Sequence, residues 1–401
     1  MLIKVVFYHL LIVLLSFDHN IMAAAENYKH AVFSDVDGTL VHYPDDLSKE
    51  DNSLLIHLPP SKTGTRGVIS RKSLYLCQKL RSVNNGTPLI LVSGMRTTTL
   101  FQRMPYLPTA DAYVCESGGR IFYRKCIFCM IYKLCIRCVH KSQFSSIQKT
   151  ILTAQPQKGI GEEYTDDEVV NLVKNLTSQP TTYIGTTADG KPLKIIEDME
   201  WRRRTLEVVK TETGKLWEFA TTLRKRGYVL DTTGYTTAFR INRKHQKSQL
   251  ASSFDDFIEK CSNKDGIPNG LDCSTNLGCV DIYPAVSGKK NCAEYLVNKL
   301  LGNEETNNED DRDTTQQQQS VKLDTHAYCL CDDDNDIEMA LACKFAYLPS
   351  VTSESIRNLA KETSKLIITE DTENDIVQTL ATEAALEAVI KELEPIDEHS
   401  T

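Results

Sequence analysis

Ala31-Val-Phe-Ser-Asp-Val-Asp-Gly-Thr39 places a short, mostly apolar run directly before two aspartates and a Gly-Thr pair. A run of this length is typical of a strand buried on both faces, as in a parallel sheet. The pattern returns twice: residues 88–92 end at Ser93-Gly94, and residues 327–331 end at a cluster of four aspartates and one asparagine over 332–336. Each predicted strand therefore carries a polar cluster at its carboxyl end.

Helical spacing between the first two strands indicates an α/β chain. Small and apolar residues recur at helical intervals, and a turn signal closes them: Ser73, Leu74, Leu76, Cys77, Leu80, then Asn84-Asn85-Gly86. Alternating strands and helices predict a doubly wound, Rossmann-like parallel sheet. Ligands bind such sheets at the carboxyl ends of the strands, where all three polar clusters fall.

The chain between the second and third clusters is too long for a simple crossover, so we expect an inserted unit. The predicted division is a core over 26–125, a Cys-rich segment and α/β cap over 126–275, a second core part over 276–385, and a tail over 386–401. Inside the cap, residues 228–231 and 238–241 predict a hairpin.

In the second core part, residues 278–283 predict a strand and residues 291–301 the helix after it. Residues 302–322 are rich in acidic residues, Asn and Gln. This composition predicts a disordered loop.

The composition excludes several classes of protein. The chain has 401 residues, of which 41% are hydrophobic, and a net charge of −8. These values are ordinary for a soluble globular protein, and they exclude collagenous and polytopic membrane proteins. The mild acidity argues against nucleic acid as a partner, since bulk binding needs a basic face. Thirteen cysteines, an odd number, argue against a small disulfide scaffold.

Residues 1–25 have two interpretations. The apolar run over 5–17 is too short for a membrane span of about twenty residues but suits a signal-peptide core, with Ala23-Ala24-Ala25 as the cleavage site. Alternatively, translation begins at Met22, because Met-Ala-Ala-Ala-Glu is a normal cytosolic start. The first interpretation predicts the secretory pathway and the second the cytoplasm. No later segment predicts a membrane span.

Asp35 and Asp37 have the spacing of a phosphoryl-transfer pair. One carboxylate can attack phosphorus, and the other can give a proton to the leaving oxygen. Two carboxylates and a phosphate dianion repel, so a hard cation such as Mg²⁺ is needed. The alternative is a turn in which the aspartates only cap the backbone.

Three further groups fit the same chemistry, each with a plainer alternative. Ser93 and Gly94 offer a hydroxyl and an approachable amide to a phosphoryl oxygen, or Ser93 is only a helix N-cap. Lys289 and Lys290 begin a predicted helix, where a lysine is better placed if it faces an anion. The alternative there is a solvated pair of surface lysines.

The aspartates over 332–336 exceed what a helix start needs, because each contributes only about 0.3–1 kcal/mol there while like charges repel. A calcium-binding EF-hand loop is excluded, since its sixth and twelfth positions would be Ile337 and Cys343. A cation shared between Asp332 and Asp35 remains.

Four segments resemble, in order, the four motifs of the haloacid dehalogenase superfamily of phosphatases. They are Asp35-Val-Asp-Gly-Thr-Leu40, Ser93-Gly94, Lys289-Lys290 and residues 332–336. Residues 115–119, Cys-Glu-Ser-Gly-Gly, resemble the Glu-Asn-Gly segment of its Cof-type and sucrose-phosphatase-like branch. That branch carries its α/β cap between the second and third motifs, where this chain has its insertion.

The resemblance implies roles for these residues. Asp35 would be the nucleophile and Asp37 the acid and base. Ser93 with Gly94 would bind the phosphoryl group. Asp35, the Asp37 carbonyl and Asp332 would bind Mg²⁺.

The resemblance also favours Lys290 as the catalytic, phosphate-binding lysine, because it keeps the family's spacing to Ala293, with Lys289 as the competitor. Asn335 and Asp336 would support the metal and the lysine.

The prediction is a Mg²⁺-dependent phosphomonoesterase that acts through an aspartyl phosphate on a sugar phosphate or similar small organophosphate. The alternatives are a phosphomutase of the phosphomannomutase type and a catalytically inactive binding module.

Two features lie outside these motifs. Two closely spaced pairs are formed by Cys126, Cys129, Cys135 and Cys138. We expect them to belong to a packed strand or helix, and the alternative is a zinc site. Arg202-Arg203-Arg204 and Arg240 would reach a second anionic group on the substrate or, more commonly, be solvated surface residues or ion-pair partners.

Overall fold

Helices and strands alternate along most of the chain. The computed structural model describes residues 28–44, 52–60, 66–124, 180–209, 214–247, 254–263, 265–276, 278–302, 321–351, 353–369 and 378–394. Their helices are α1 Arg71–Leu80, α2 Thr97–Arg103, α3 Met199–Val209, α4 Lys215–Lys225, α5 Phe254–Ser262, α6 Lys289–Leu301, α7 Leu323–His326, α8 Ile337–Ala342, α9 Glu354–Glu362 and α10 Gln378–Leu393. Their strands are β1 Ala31–Ser34, β2 Leu55–His57, β3 Val68–Ser70, β4 Leu89–Val92, β5 Ala112–Cys115, β6 Arg120–Arg124, β7 Thr182–Thr186, β8 Pro192–Glu197, β9 Leu230–Asp231, β10 Phe239–Asn242, β11 Leu271–Asn276, β12 Cys279–Pro284, β13 Ala327–Leu330, β14 Phe345–Leu348 and β15 Leu366–Ile368.

The central sheet has the order β15-β14-β13-β1-β4-β5-β6-β8-β7. The strands from β15 to β5 run parallel to one another. The sheet continues through β6, β8 and β7, each antiparallel to its neighbour, so β6 and β7 run against the parallel strands and β8 runs with them. The three strands expected from the apolar runs form and lie side by side as β13-β1-β4. The predicted doubly wound α/β fold is confirmed.

Strand β1 is buried on both faces because helices cover each side of the sheet. Val32 points into the layer that α1 and α10 fill, whereas Ala31 and Phe33 point into the layer of α6 and α8. Successive side chains of a strand alternate between faces, so both sets must be apolar here. This burial explains the continuous apolar run.

A second, four-stranded sheet of order β11-β12-β10-β9 forms the cap. The hairpin expected over 228–241 is confirmed as antiparallel β9 and β10. The strand expected at 278–283 forms as β12, but its assignment to the core was wrong, because it pairs with β10 and β11. A short apolar run predicts a buried strand without identifying its sheet. Here Val280 and Ile282 pack into the cap's own hydrophobic cluster.

The core takes more of the chain than predicted. Strands β7 and β8, assigned to the cap segment 126–275, extend the central sheet, and Trp201 of α3 packs in a core layer. Helix α10 runs to Leu393 and buries Leu386 and Val389 beside α1, so residues 386–393 are not a tail. The core thus includes 180–209 and ends with α10.

Some predictions fall outside the described residues. These are residues 1–25, the cysteine cluster over 126–138, most of the loop over 302–322, and the last residues, 395–401. Among the helices that are described, none has the length and apolarity needed to cross a membrane.

Candidate active site

The ends of β1 and β13 bring three acidic side chains together. The Asp35 amide donates a hydrogen bond of 2.9 Å to the Leu330 carbonyl, which fixes the register of the two strand ends. Carboxylate oxygens of Asp35, Asp332 and Asp336 all lie within 4.8 Å of one another, and all three residues are buried. We call these three residues the acidic cluster.

The turn after β1 holds Asp332 in place. Gly38 has a φ of +89°, and a Cβ there would come within 2.0 Å of Asp332 Oδ2. Glycine is needed for both reasons, the backbone angle and the close approach. Thr39 Oγ1 donates a 2.8 Å hydrogen bond to Asp332 Oδ1. The Gly-Thr pair of the first motif therefore positions the aspartate of the last.

Lys289, the first residue of α6, reaches into the acidic cluster. Its Nζ lies 2.7 Å from Asp336 Oδ1, 2.9 Å from Asn335 Oδ1 and 3.1 Å from Asp35 Oδ1. The support expected from Asn335 and Asp336 for the lysine is therefore present, but the lysine is Lys289.

The prediction that Lys290 enters the site was wrong. Its side chain is 41% exposed, and its Nζ lies 3.8 Å from Glu294 on the same helix. Neighbouring helical residues point about 100° apart, so only one of two consecutive lysines can face the sheet. Lys289 shares the buried stripe of Cys292 and Leu296 at helical spacing, a sequence signal that identifies it.

Burial makes the acidic cluster costly to ionise. It raises the pKa of Asp336 to about 7, although Lys289 acts to lower it. Burial and the neighbouring carboxylates also raise the pKa of Asp332 well above its usual range. Burial acts to lower the pKa of Lys289, but Asp336 and Asp35 outweigh it and raise that pKa. One lysine cannot balance three carboxylates, so the cluster favours a further cation.

The donor atoms fit a hard divalent cation. Asp336 Oδ2 is buried and accepts no hydrogen bond from the described residues, and the buried Asp35 Oδ1 has Lys289 Nζ 3.1 Å away. All the candidate ligands are carboxylate oxygens, which suit Mg²⁺ or Ca²⁺ better than softer metals. The carboxylates that lie together are those of Asp35, Asp332 and Asp336. Asp37, which was expected to offer only its backbone carbonyl, is not a member of this cluster.

Asp37 is held by two side chains that were not predicted from the sequence. Its Oδ1 accepts hydrogen bonds of 2.5 Å from both Arg103 of α2 and the Tyr43 hydroxyl. Burial and Asp37 raise the pKa of Tyr43, so the phenol stays a donor. No described residue donates a hydrogen bond to Asp37 Oδ2, and the Asp37 side chain is 26% exposed.

Ser93 and Gly94 form a tight loop at the end of β4. Ser93 is buried, and its Oγ accepts a 3.1 Å hydrogen bond from the Met95 amide. A Cβ on Gly94 would lie 3.2 Å from Asp281 Oδ2 and 3.5 Å from Arg240 Nη2, both in the cap. The absence of a side chain at Gly94 therefore lets the cap approach the loop.

Glu116 joins the core to the cap. This fully buried carboxylate accepts hydrogen bonds from the amides of Thr236, at 2.8 Å, and Thr237, at 2.7 Å, both in the cap. On the core side it accepts a 2.5 Å bond from Thr97 Oγ1. Glu116 therefore ties the cap to the core at the end of β5.

The arginines expected to reach a second anion are already paired. Arg202 lies buried on α3 with its Nη1 3.2 Å from Glu197, and Arg204 forms a surface pair with Glu200. Arg240 forms a two-point pair with Asp281. The ion-pair alternative is therefore correct for Arg202, Arg204 and Arg240.

No protein-family model and no curated protein match the chain. Among solved structures, it is similar to the sucrose-phosphatase of Synechocystis, with 10% identity, 91% of this chain and 98% of that chain covered, and a TM-score of 0.47. A haloacid dehalogenase-like hydrolase of Bacillus subtilis gives 12% identity, coverage of 92% and 93%, and a TM-score of 0.41. The C-terminal domain of C. albicans trehalose-6-phosphate phosphatase gives 10% identity, coverage of 92% of this chain and 96% of that chain, and a TM-score of 0.37.

Replacing Asp332 with Asn should weaken Mg²⁺ binding by at least about tenfold, because a charged ligand is lost from the cluster. Isothermal titration calorimetry with MgCl₂ measures this. Asp334→Asn is the matched control, since it removes the same charge two residues away, where Asp334 Oδ1 instead accepts hydrogen bonds from Ser353 and Ser355. Equal Mg²⁺ affinity in the two variants would contradict the assignment.

Proposed function

We propose that the chain is a Mg²⁺-dependent phosphomonoester hydrolase of the haloacid dehalogenase type, acting on a sugar phosphate or a similar small organophosphate. The observation that carries this proposal is the contact of Lys289 with both Asp35 and Asp336 at the carboxyl ends of the strands. A nucleophilic carboxylate, a fixed cation and further carboxylates for a metal are what phosphoryl transfer requires. The four motifs in order support the same chemistry.

In the proposed mechanism, Asp35 attacks the phosphorus in line and the bond to the leaving oxygen breaks. The product is an aspartyl phosphate on Asp35, while Asp37 gives its proton to the departing alkoxide. A water molecule then attacks the phosphorus and returns a proton to Asp37. Free phosphate leaves, and both aspartates regain their starting forms.

Negative charge on the transferring group needs fixed positive partners. Lys289 is already held by Asp336 and Asn335, so it needs no reorganisation to face the phosphoryl oxygens. The Ser93 hydroxyl and the Gly94 amide would donate to the same oxygens. Asp35, Asp332 and Asp336 would hold Mg²⁺, which when bound would neutralise the carboxylates and polarise the phosphoryl group.

Arg103 and Tyr43 would orient the acid. Both donate to Asp37 Oδ1, which leaves Oδ2 as the atom that exchanges a proton with the leaving group. Preserving this orientation through both half-reactions suits one residue that acts first as acid and then as base.

Asp35→Asn should reduce phosphate release by at least about a thousandfold, because an amide cannot form the aspartyl phosphate. The measurement is a phosphate-release screen over sugar and nucleotide monophosphates, with and without Mg²⁺. The substitution is close to isosteric, so circular dichroism should show an unchanged fold. Undiminished activity in Asp35→Asn would refute the nucleophile assignment.

The same screen separates the alternatives. Accumulation of an isomeric sugar phosphate without free phosphate would favour a phosphomutase. Complete inactivity of the purified wild-type chain with Mg²⁺ would favour a binding module.

Lys289→Ala should lower kcat by at least about a hundredfold, the usual cost of removing one fixed donor from a charged transition state. Lys290→Ala is the matched control in the next position, and it should leave kcat unchanged because Lys290 is exposed. Steady-state kinetics on the best substrate of the screen compares them. A larger loss of kcat for Lys290→Ala than for Lys289→Ala would instead support Lys290, the residue favoured by its spacing to Ala293, as the catalytic lysine.

A further inference from the structure

Two cap residues of opposite charge face each other across β10 and β12. Arg240 lies directly opposite Asp281 in the antiparallel register, and on its other side opposite Asp231 of β9. Its Nε and Nη2 donate hydrogen bonds of 2.6 and 2.7 Å to the two oxygens of Asp281. Such a two-point pair fixes the guanidinium plane.

A core arginine completes a row of alternating charges. Arg96 Nη2 lies 2.6 Å from Asp231 Oδ2, and Arg96 Nη1 donates a 2.9 Å hydrogen bond to the Thr233 carbonyl. Arg96, Asp231, Arg240 and Asp281 therefore follow one another with no net charge. We call these four residues the charge row.

The charge row lies over the predicted phosphate loop. Arg240 and Asp281 are the cap groups that approach Gly94, and the Ser117 hydroxyl donates a 3.4 Å hydrogen bond to Asp281. On the opposite face of β12, Val280 and Ile282 are buried in the cap. The alternation of the strand thus directs Asp281 toward the core.

The charge row offers hydrogen bonds without a net field. Arg240 Nη1 makes no hydrogen bond with the described residues, and the side chain is 24% exposed, so a donor remains for a ligand. Asp281 cancels the charge of Arg240 and would repel a second anion brought beside it. A neutral hydroxyl group suits this site, because it can accept a hydrogen bond from Arg240 without bringing a second negative charge beside Asp281, whose side chain is only 2% exposed.

We propose that the charge row selects the leaving group, accepting a neutral polyhydroxy alcohol and rejecting one that carries a second phosphate. The inference rests on the proposed phosphatase function and adds the chemical class of the substrate's non-phosphoryl part. It reverses the expectation that Arg240 binds a second anion.

The test compares hydrolysis of glucose 6-phosphate and fructose 1,6-bisphosphate by the Mg²⁺-loaded full-length chain. Asp281→Asn leaves Arg240 without its compensating charge, so the ratio of kcat/KM for the bisphosphate over the monophosphate should rise at least about tenfold. Asp231→Asn, which uncovers Arg96, should shift the ratio in the same direction.

Asp255→Asn is the matched control, because it uncovers Arg243 in an exposed pair within the cap. It makes the same change in net charge and should leave the ratio unchanged within about twofold.

Three results are distinguishable. An unchanged ratio in folded Asp281→Asn and Asp231→Asn would overturn the inference and reduce the charge row to a docking contact. A wild-type chain that prefers the bisphosphate would overturn it without any variant. A wild-type chain that releases phosphate from neither compound nor any other monoester would instead refute the proposed function.

Discussion

Three carboxylates buried within 4.8 Å of one another place the strongest constraint on this structure. Taking charged groups out of water costs several kcal/mol each, and their mutual repulsion adds to that cost. Lys289 offsets part of it through contacts with Asp35 and Asp336. The remainder is a preference for a further cation, which the Mg²⁺ of the proposed function would satisfy.

The contact between cap and core depends on another buried carboxylate, Glu116. Glu116 takes both of its cap amide donors from Thr236 and Thr237, so moving the cap away would leave it to be solvated by water. Arg96 adds a charged contact with Asp231 across the same boundary. The contact between cap and core is thus made by polar groups that water can replace, which suits the cap opening that the proposed function would require.

The central part of the fold could be predicted from the sequence, because local and tertiary requirements agree there. Residues 31–33 are apolar because both faces of β1 are covered, and the aspartates that follow lie where parallel strands end. That agreement made the sheet, the hairpin of the cap and the acidic cluster predictable. The sheet to which β12 belongs could not be predicted, because its apolar side chains fit either sheet equally well. Only its pairing with β10 decides that it belongs to the cap sheet.

Side-chain partners distant in sequence were the least predictable. Arg103 meets Asp37 from 66 residues away, and no local pattern marks it. Lys289 could have been chosen over Lys290 from the helical stripe that it shares with Cys292 and Leu296. Asp281 also had a signal, since one aspartate in a strand of apolar residues points to a paired or functional carboxylate.

The most direct test of a shared metal is anomalous diffraction from crystals of the chain soaked in MnCl₂, with Mn²⁺ replacing Mg²⁺. We expect one manganese peak within about 2.0–2.3 Å of carboxylate oxygens from both Asp35 and Asp332. A peak at some other place, or Asp332 turned many ångströms from Asp35 with Mn²⁺ in the crystal, would contradict the account.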